Sequence, residues 1–159
     1  MASDGATPGF VIRAFHNEDA WCVAEILSQA RGAASWSEEA LRQTVAMSGV
    51  SAYVSERDRT ILGMVIGRRV LDEAEILNLA VRHDARRQGE GRALVKRLLE
   101  EFARQGVSRV FLEVRESNTG AIAFYRGLRF EAVGTREDYY QAPEEPATVM
   151  ELDLLKSTD

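Results

Sequence analysis

Apolar positions recur along this chain with two spacings, and each change of spacing marks an element. Residues 10–15 (FVIRAF) read as a short strand. Ala20, Val23, Ala24, Leu27 and Ala30 then fall three and four apart, the stripe of an amphipathic helix. Asn17 is its expected N-cap, Glu18 and Asp19 suit the dipole in its first turn, and Arg31 and Gly32 stop it. Ser37 caps a second helix that carries Leu41, Val45 and Met47 and ends at Gly49. Residues 50–55 and 61–70 are strands joined by the polar turn 56–60, and a third strand follows at 75–81. The clearest helix runs from Glu90 to Arg104, with Leu94, Val95, Leu98, Leu99 and Phe102 on one face and Gly106 where a left-handed cap is wanted. Arg109 to Arg115 is a strand. Ser117 or Asn118 then caps a shorter helix through Ile122, Phe124 and Tyr125. Strands at 130–135 and 147–155 close the chain, separated by an acidic loop that contains proline. Hairpins early, two strand-to-helix crossovers and a closing antiparallel pair predict an α/β sheet with helices on both faces.

Composition narrows the class without changing that picture. The 159 residues suffice for one domain with a real core, expected over residues 10–155, with a flexible leader at 1–9 and a tail at 156–159. The leader has neither the basic nor the apolar region of a signal peptide, and no apolar run is long enough for a membrane span, so the expected compartment is the cytoplasm. One cysteine, Cys22, excludes an internal disulfide, and with only His16 and His83 beside it no metal is implied. Charge is unevenly placed. Residues 82–109 sum to +4 and residues 137–159 to −6, which are either an anion-attracting region and a cation-attracting one or two solvated faces. The basic region is short, broken by acids and not interleaved with exposed aromatics, which argues against nucleic-acid binding.

The stretch from Ile76 to Arg92 carries the candidate chemistry. An apolar strand leads into a basic segment, two glycines one residue apart, and the start of the long helix. Backbone N–H groups around Gly89 and Gly91 converge where the first N–H groups of a helix have no partner, and Arg86, Arg87 and Arg92 add full charges. On the residues alone this is either a site for a phosphate or pyrophosphate or an ordinary tight turn with solvated arginines. Glu113, between Leu112 and Val114, is either a general base or a rim carboxylate paired with Arg115 or another arginine. Tyr125 is either a proton donor or a core tyrosine with a wet hydroxyl, and Trp36 is a core or lid aromatic.

The segments EILNLAV, RRQGEGRALV, FLEVRESN and AIAFYRGLRF, in this order and at these separations, resemble the GNAT acyltransferase superfamily. More narrowly, LDEAEILNLAV, LEVRESNTGAIAFY, the later DYY followed by ATVMEL, and WSE at Trp36, Ser37 and Glu38 resemble the ribosomal-protein alanine N-acetyltransferases of the RimI type. The resemblance implies a GNAT-like fold: a mixed, mostly antiparallel central sheet flanked by helices, with two neighbouring strands splayed apart. It implies acetyl-CoA as acetyl donor, its pyrophosphate on the turn of Arg86, Arg87, Gln88, Gly89, Glu90, Gly91 and Arg92. The pantetheine arm would pair with the backbone of Leu79, Ala80 and Val81 and touch Asn118.

By the same resemblance Glu113 is the general base and Tyr125 the general acid, and the acceptor is the N-terminal alanine of a small-subunit ribosomal protein. An α-amine of reference pKa about 8 is easier to deprotonate than a lysine near 10.4, so a base of modest strength suffices. A tyrosine can protonate the departing thiolate. Cys22 has no histidine close in sequence to activate it, so direct attack in a ternary complex is expected over an acyl-enzyme. The acids Glu137, Asp138, Glu144 and Glu145 with Tyr139 and Tyr140 are either the receiver of a basic peptide or a solvated loop. Four residues depart from the pattern: Glu90 for an apolar residue in the glycine turn, which weakens anion affinity, Arg86 for a glutamine, Arg129 for a glycine, and Pro146 for an acid. Alternatives are an acetyltransferase of the same fold acting on a lysine or a small amine, and a non-catalytic acetyl-CoA-binding module. The expected assembly is a monomer or weak homodimer.

Overall fold

Alternation of apolar and polar side chains builds one seven-stranded sheet, seen in a computed structural model that describes residues 9–30, 33–141 and 144–156. The strands are β1 (Val11–Ala14), β2 (Val50–Arg57), β3 (Thr60–Val70), β4 (Glu73–Val81), β5 (Arg109–Arg115), β6 (Glu131–Gln141) and β7 (Glu144–Asp153). The helices are α1 (Ala20–Gln29), α2 (Glu38–Val45), α3 (Glu90–Arg104) and α4 (Thr119–Gly127). Sheet order is β1-β2-β3-β4-β5-β7-β6, and every neighbouring pair is antiparallel except β4 with β5. The mixed, mostly antiparallel sheet is the one expected from the resemblance.

Two cores lie on the two faces. Leu94, Leu98 and Phe102 of α3 and Tyr125 and Leu128 of α4 pack with Val65, Ile76, Val110, Leu112 and Met150. On the other face Val23 and Leu27 of α1 and Leu41 of α2 pack with Val54, Met64, Ile66 and Ala80. Gly67 lets β3 approach α3 closely: a Cβ there would lie 2.8 Å from the Phe102 ring and 2.9 Å from the Glu75 carbonyl. β4 carries a bulge, since Ile66 opposes Asn78 while Gly67 opposes Ile76, leaving Leu77 as the extra residue. The bulge resets the alternation. Ile76 and Leu79 face the α3 side, while Leu77 and Ala80 face α1 and α2.

Several boundaries differ from the sequence reading for local reasons. The N-cap of the first helical segment is His16, not Asn17: residues Asn17–Asp19 form a 3-10 turn, and the His16 N–H donates to the Asp19 carboxylate at 2.7 Å. Asp19 is in turn held bidentately by Arg13, at 2.8 and 3.0 Å. α1 ends at Gln29, and Arg31 and Gly32, its expected stop, lie outside the described residues, as do residues 1–8 of the expected leader and 157–159 of the tail. α2 ends at Val45, short of Gly49, so Met47 sits beyond it, exposed. The segment expected as an acidic loop is largely strand, because β6 runs on to Gln141 and β7 starts at Glu144.

α3 and α4 end in the same way with different residues. Val107 N–H reaches back to Phe102 O at 3.0 Å around Gly106 (φ 88°), and Phe130 N–H to Tyr125 O at 3.0 Å around Arg129 (φ 76°). The left-handed conformation crowds the Cβ of any residue but glycine. Arg129→Gly is therefore expected to stabilise the fold by about 1 kcal/mol, read as a higher urea midpoint. An unchanged midpoint would show that Arg129 is not strained there.

Candidate functional site

The one parallel pair opens the sheet. β4 and β5 are paired only at Glu73, Ala74 and Glu75 against Arg109, Val110 and Phe111, and past that point the two strands run on without pairing. These are the two splayed neighbours expected, and the gap lies at their carboxyl ends, where a sheet with parallel neighbours exposes its crevice. From Ile76 to Val81, β4 stays paired to β3 on one side while its other edge faces this gap. Leu79, Ala80 and Val81 lie on that edge. The Leu79 N–H is taken by Asn78 Oδ1 at 3.0 Å and the Val81 carbonyl by Arg86 Nε at 3.4 Å, so a ligand pairing with this edge competes with both.

The turn into α3 has the shape of an anion cradle. Arg87 (φ 64°) and Gly89 (φ 92°) are both left-handed, and Gly89 is the N-cap of α3. The first helical N–H to find an intrahelical carbonyl is that of Ala93, bonded to Gly89 O at 3.0 Å; helix geometry leaves those of Glu90, Gly91 and Arg92 directed out of the helix start. Arg86, Arg87, Gln88 and Arg92 are exposed around it. These residues fit a diphosphate. Gly91 lies against Phe124 of α4 and Val81 of β4, since a Cβ there would meet their side chains at 3.5 and 3.7 Å, so the turn, the strand end and α4 converge. Glu90 is turned inward: it is 1% exposed, and Arg57 Nη2 stands 3.6 Å from its carboxylate.

Glu113 borders the gap from β5. Its neighbour Leu112 is buried in the α3 and α4 core, so alternation directs Glu113 to the opposite face. Arg136 of β6 donates to its Oε1 at 2.7 Å, while Oε2 is buried and makes no hydrogen bond, with the Tyr139 phenol, raised first by burial and then by the charge of Glu113, close to the carboxylate. The sequence left Arg115 or another arginine as partner. The structure has Arg136, and Arg115 instead pairs with Glu145 at 3.3 Å and lies 4.3 Å over the Tyr140 ring. The Tyr140 hydroxyl donates to the Glu113 carbonyl at 3.4 Å. Glu75 stands two residues away along the same face, opposite Phe111, and its carboxyl is raised first by burial and then by the charge of Glu113.

Tyr125 and Asn118 come from α4, on the other face. Asn118 caps α4, its Oδ1 accepting from Ala121 N–H at 3.1 Å, which leaves a ligand contact to its Nδ2. Tyr125 is buried between Phe124 and Phe130, edge-to-face at 5.0 and 5.5 Å. Burial pushes its phenol well above the ordinary tyrosine value, so the hydroxyl keeps its proton through the neutral range. The gap thus has a carboxylate on one side and a protonated phenol behind the other, with the anion cradle on the phenol's face.

The acidic region is divided. Glu137, Asp138 and Glu144 are exposed on the β6–β7 ribbon, but Glu145 is occupied by Arg115 and by the Ser117 N–H at 2.6 Å. Sequence reasoning missed Arg136, whose contact with Glu113 spans 23 positions and leaves no local trace. It also missed Asn78, which binds Ala34 O at 2.9 Å and ties the segment before α2 to β4; a lone amide in the run LNLAV was the available signal. Trp36 is partly buried against the α1 and α2 core. Cys22 is exposed on α1. Among the described residues no group of histidine, cysteine and acidic side chains is placed to hold a metal, and no helix is long and apolar enough to cross a membrane.

Known proteins are similar to this chain in sequence and fold. The sequence profile of the Acetyltransferase (GNAT) family matches residues 16–130. The [ribosomal protein bS18]-alanine N-acetyltransferase of Escherichia coli (strain K12) is 35% identical over 130 residues, covering 80% of this chain and 87% of that protein. The N-alpha-acetyltransferase RimI of Mycobacterium tuberculosis is 35% identical over 153 residues, covering 92% and 94%. The crystal structure of the ribosomal-protein-S18-alanine N-acetyltransferase from Escherichia coli superposes with a TM-score of 0.82 at 33% identity, covering 91% of this chain and 94% of that one.

Proposed function

The chain belongs to the GNAT acetyltransferase family, and from that membership we propose that it moves the acetyl group of acetyl-CoA to a protein N-terminal α-amine, by direct attack in a ternary complex. The acceptor we propose is the N-terminal alanine of a ribosomal protein, because the Escherichia coli relative is named for the alanine of bS18, while the Mycobacterium tuberculosis one carries the broader name of an N-alpha-acetyltransferase. Such an acceptor puts the reaction in the cytoplasm. The observation that carries the reading is the division of the gap, with anion-binding groups on one face and a carboxylate with one unengaged oxygen on the other.

When bound, acetyl-CoA supplies a thioester that an amine can attack. The protein's residues supply position and proton transfer. Backbone N–H groups of Glu90, Gly91 and Arg92, with Arg86, Arg87 and Gln88 around them, hold the diphosphate. Leu79, Ala80, Val81 and Asn118 align the arm along β4. Arg136 fixes the Glu113 carboxylate through Oε1, which leaves Oε2 to take a proton from the incoming ammonium, directly or through water. Tyr125, kept protonated by burial, gives its proton to the departing sulfur. Glu137, Asp138 and Glu144 attract a basic acceptor chain.

The test compares three acceptors with acetyl-CoA: a basic peptide beginning with alanine, the same peptide N-terminally blocked and carrying a lysine, and a small primary amine. Acetylation of the alanine peptide at its α-amine, at least about tenfold faster than the other two, is expected, since far more of that amine is neutral near pH 7.5. Equal or faster turnover of the lysine or small amine would replace the N-terminal acceptor by those substrates. No turnover of any would leave a binding module.

A further inference from the structure

Glu90 is the oddity of the diphosphate turn. A carboxylate at the first helical residue agrees with the helix dipole, but this one is 1% exposed and neither oxygen accepts a hydrogen bond. A buried carboxylate left alone is costly, and it lies at the helix start that is to receive another anion. Burial pushes its carboxyl up, and Arg57 draws it back down.

Arg57 ends β2 and is held at both ends of its guanidinium. Nε donates to Gly9 O at 2.6 Å, and Nη2 donates to Gln88 Oε1 at 2.8 Å while standing 3.6 Å from Glu90 Oε1. Gln88 lies between the two left-handed residues of the turn, Arg87 and Gly89. A left-handed arginine is not self-sustaining and persists where neighbours fix the chain on either side. One guanidinium therefore pins the strained turn through Gln88 and offsets the charge buried beneath it.

Building on the assignment of this turn to acetyl-CoA, we propose that Arg57 is a positioning residue for the donor site, holding Gln88 in place and neutralising Glu90 without touching the cofactor itself. Once Arg57 is gone, Glu90 at the helix start has no cation to offset it, and to the extent that its carboxyl ionises it opposes the incoming diphosphate. Removing Glu90 as well relieves that opposition.

Calorimetry with acetyl-CoA and steady-state kinetics on Arg57→Met, Arg57→Lys, Glu90→Leu and the Arg57→Met/Glu90→Leu double variant separate the possibilities. Arg57→Met is expected to bind acetyl-CoA about tenfold more weakly, raising KM for the donor while kcat at saturating donor holds. Arg57→Lys, which keeps a cation beside Glu90, falls between it and the parent. The double variant recovers most of the loss. A general structural role would weaken single and double variants alike, so equal losses in the two overturn the proposal, as does parent-like binding by Arg57→Met. If Arg57→Met does not fold, Arg57→Lys and the double variant carry the contrast: parent-like binding by Arg57→Lys, or a double variant no tighter than it, overturns the proposal. A parent that shows no heat with acetyl-CoA would instead remove the donor-site assignment on which the inference stands.

Discussion

Glu113→Gln is expected to lower turnover of an alanine-initiated basic peptide by about 10²–10³-fold while acetyl-CoA binding, followed by calorimetry, stays as in the parent. The substitution keeps the shape of the side chain and an oxygen for Arg136 at the Oε1 position, where the donor now sits at 2.7 Å. What it removes is the ability of the second position, Oε2, to accept a proton. Deprotonating the acceptor is then left to water. Because Glu113 lies on the face opposite the anion cradle, the donor site should not feel the change. The deficit should shrink as pH rises and the α-amine loses its proton unaided, toward the reference pKa of about 8. A variant that turns over like the parent at pH 7 would take Glu113 out of the mechanism.

Tyr125→Phe is expected to cost about 10²-fold in kcat with little change in the donor KM or in thermal stability. Phenylalanine preserves the edge-to-face contacts with Phe124 and Phe130, so the loss isolates the hydroxyl. Burial holds the Tyr125 phenol above the usual tyrosine range, so its protonated form is populated at every pH where the acceptor amine becomes neutral. No alkaline fall in activity should therefore come from this group. An acetyl thioester with a more acidic thiol needs less help in leaving, and with it the deficit of Tyr125→Phe should be smaller. A deficit of equal size with both thioesters would mean that the hydroxyl is not the proton donor.

What was legible in the sequence was local. α3 and β5 were read to their ends because glycine punctuates α3 on both sides, at Gly89 and Gly106, and its stripe keeps the helical period throughout. The near ends of the β6–β7 ribbon read as strands and its far end as a loop, because residues 136–139 are all exposed and the stretch is acidic and holds Pro146, so no alternation betrays the strand there. The site showed the same division. The glycine turn and the Asn118 cap are written in neighbouring residues. The company of Glu113 is not: Arg136 reaches it from a strand that is not even adjacent to β5 in the sheet. Arg57 was equally hidden, since its partners Gly9 and Gln88 lie 48 and 31 positions away. Charge and hydropathy patterns see a few residues at a time, and long side chains crossing between elements escape them.

Strand order gives β7 a consequence for the timing of assembly. It follows β5 and β6 in the chain yet lies between them, so neither strand has that neighbour until residues 144–153 insert. In a chain emerging from the ribosome, the helix-start turn can form while Glu113 and Arg136 still lack the strand that spaces them. The strands that carry Glu113 and Arg136 therefore both depend on the last strand of the chain for their spacing.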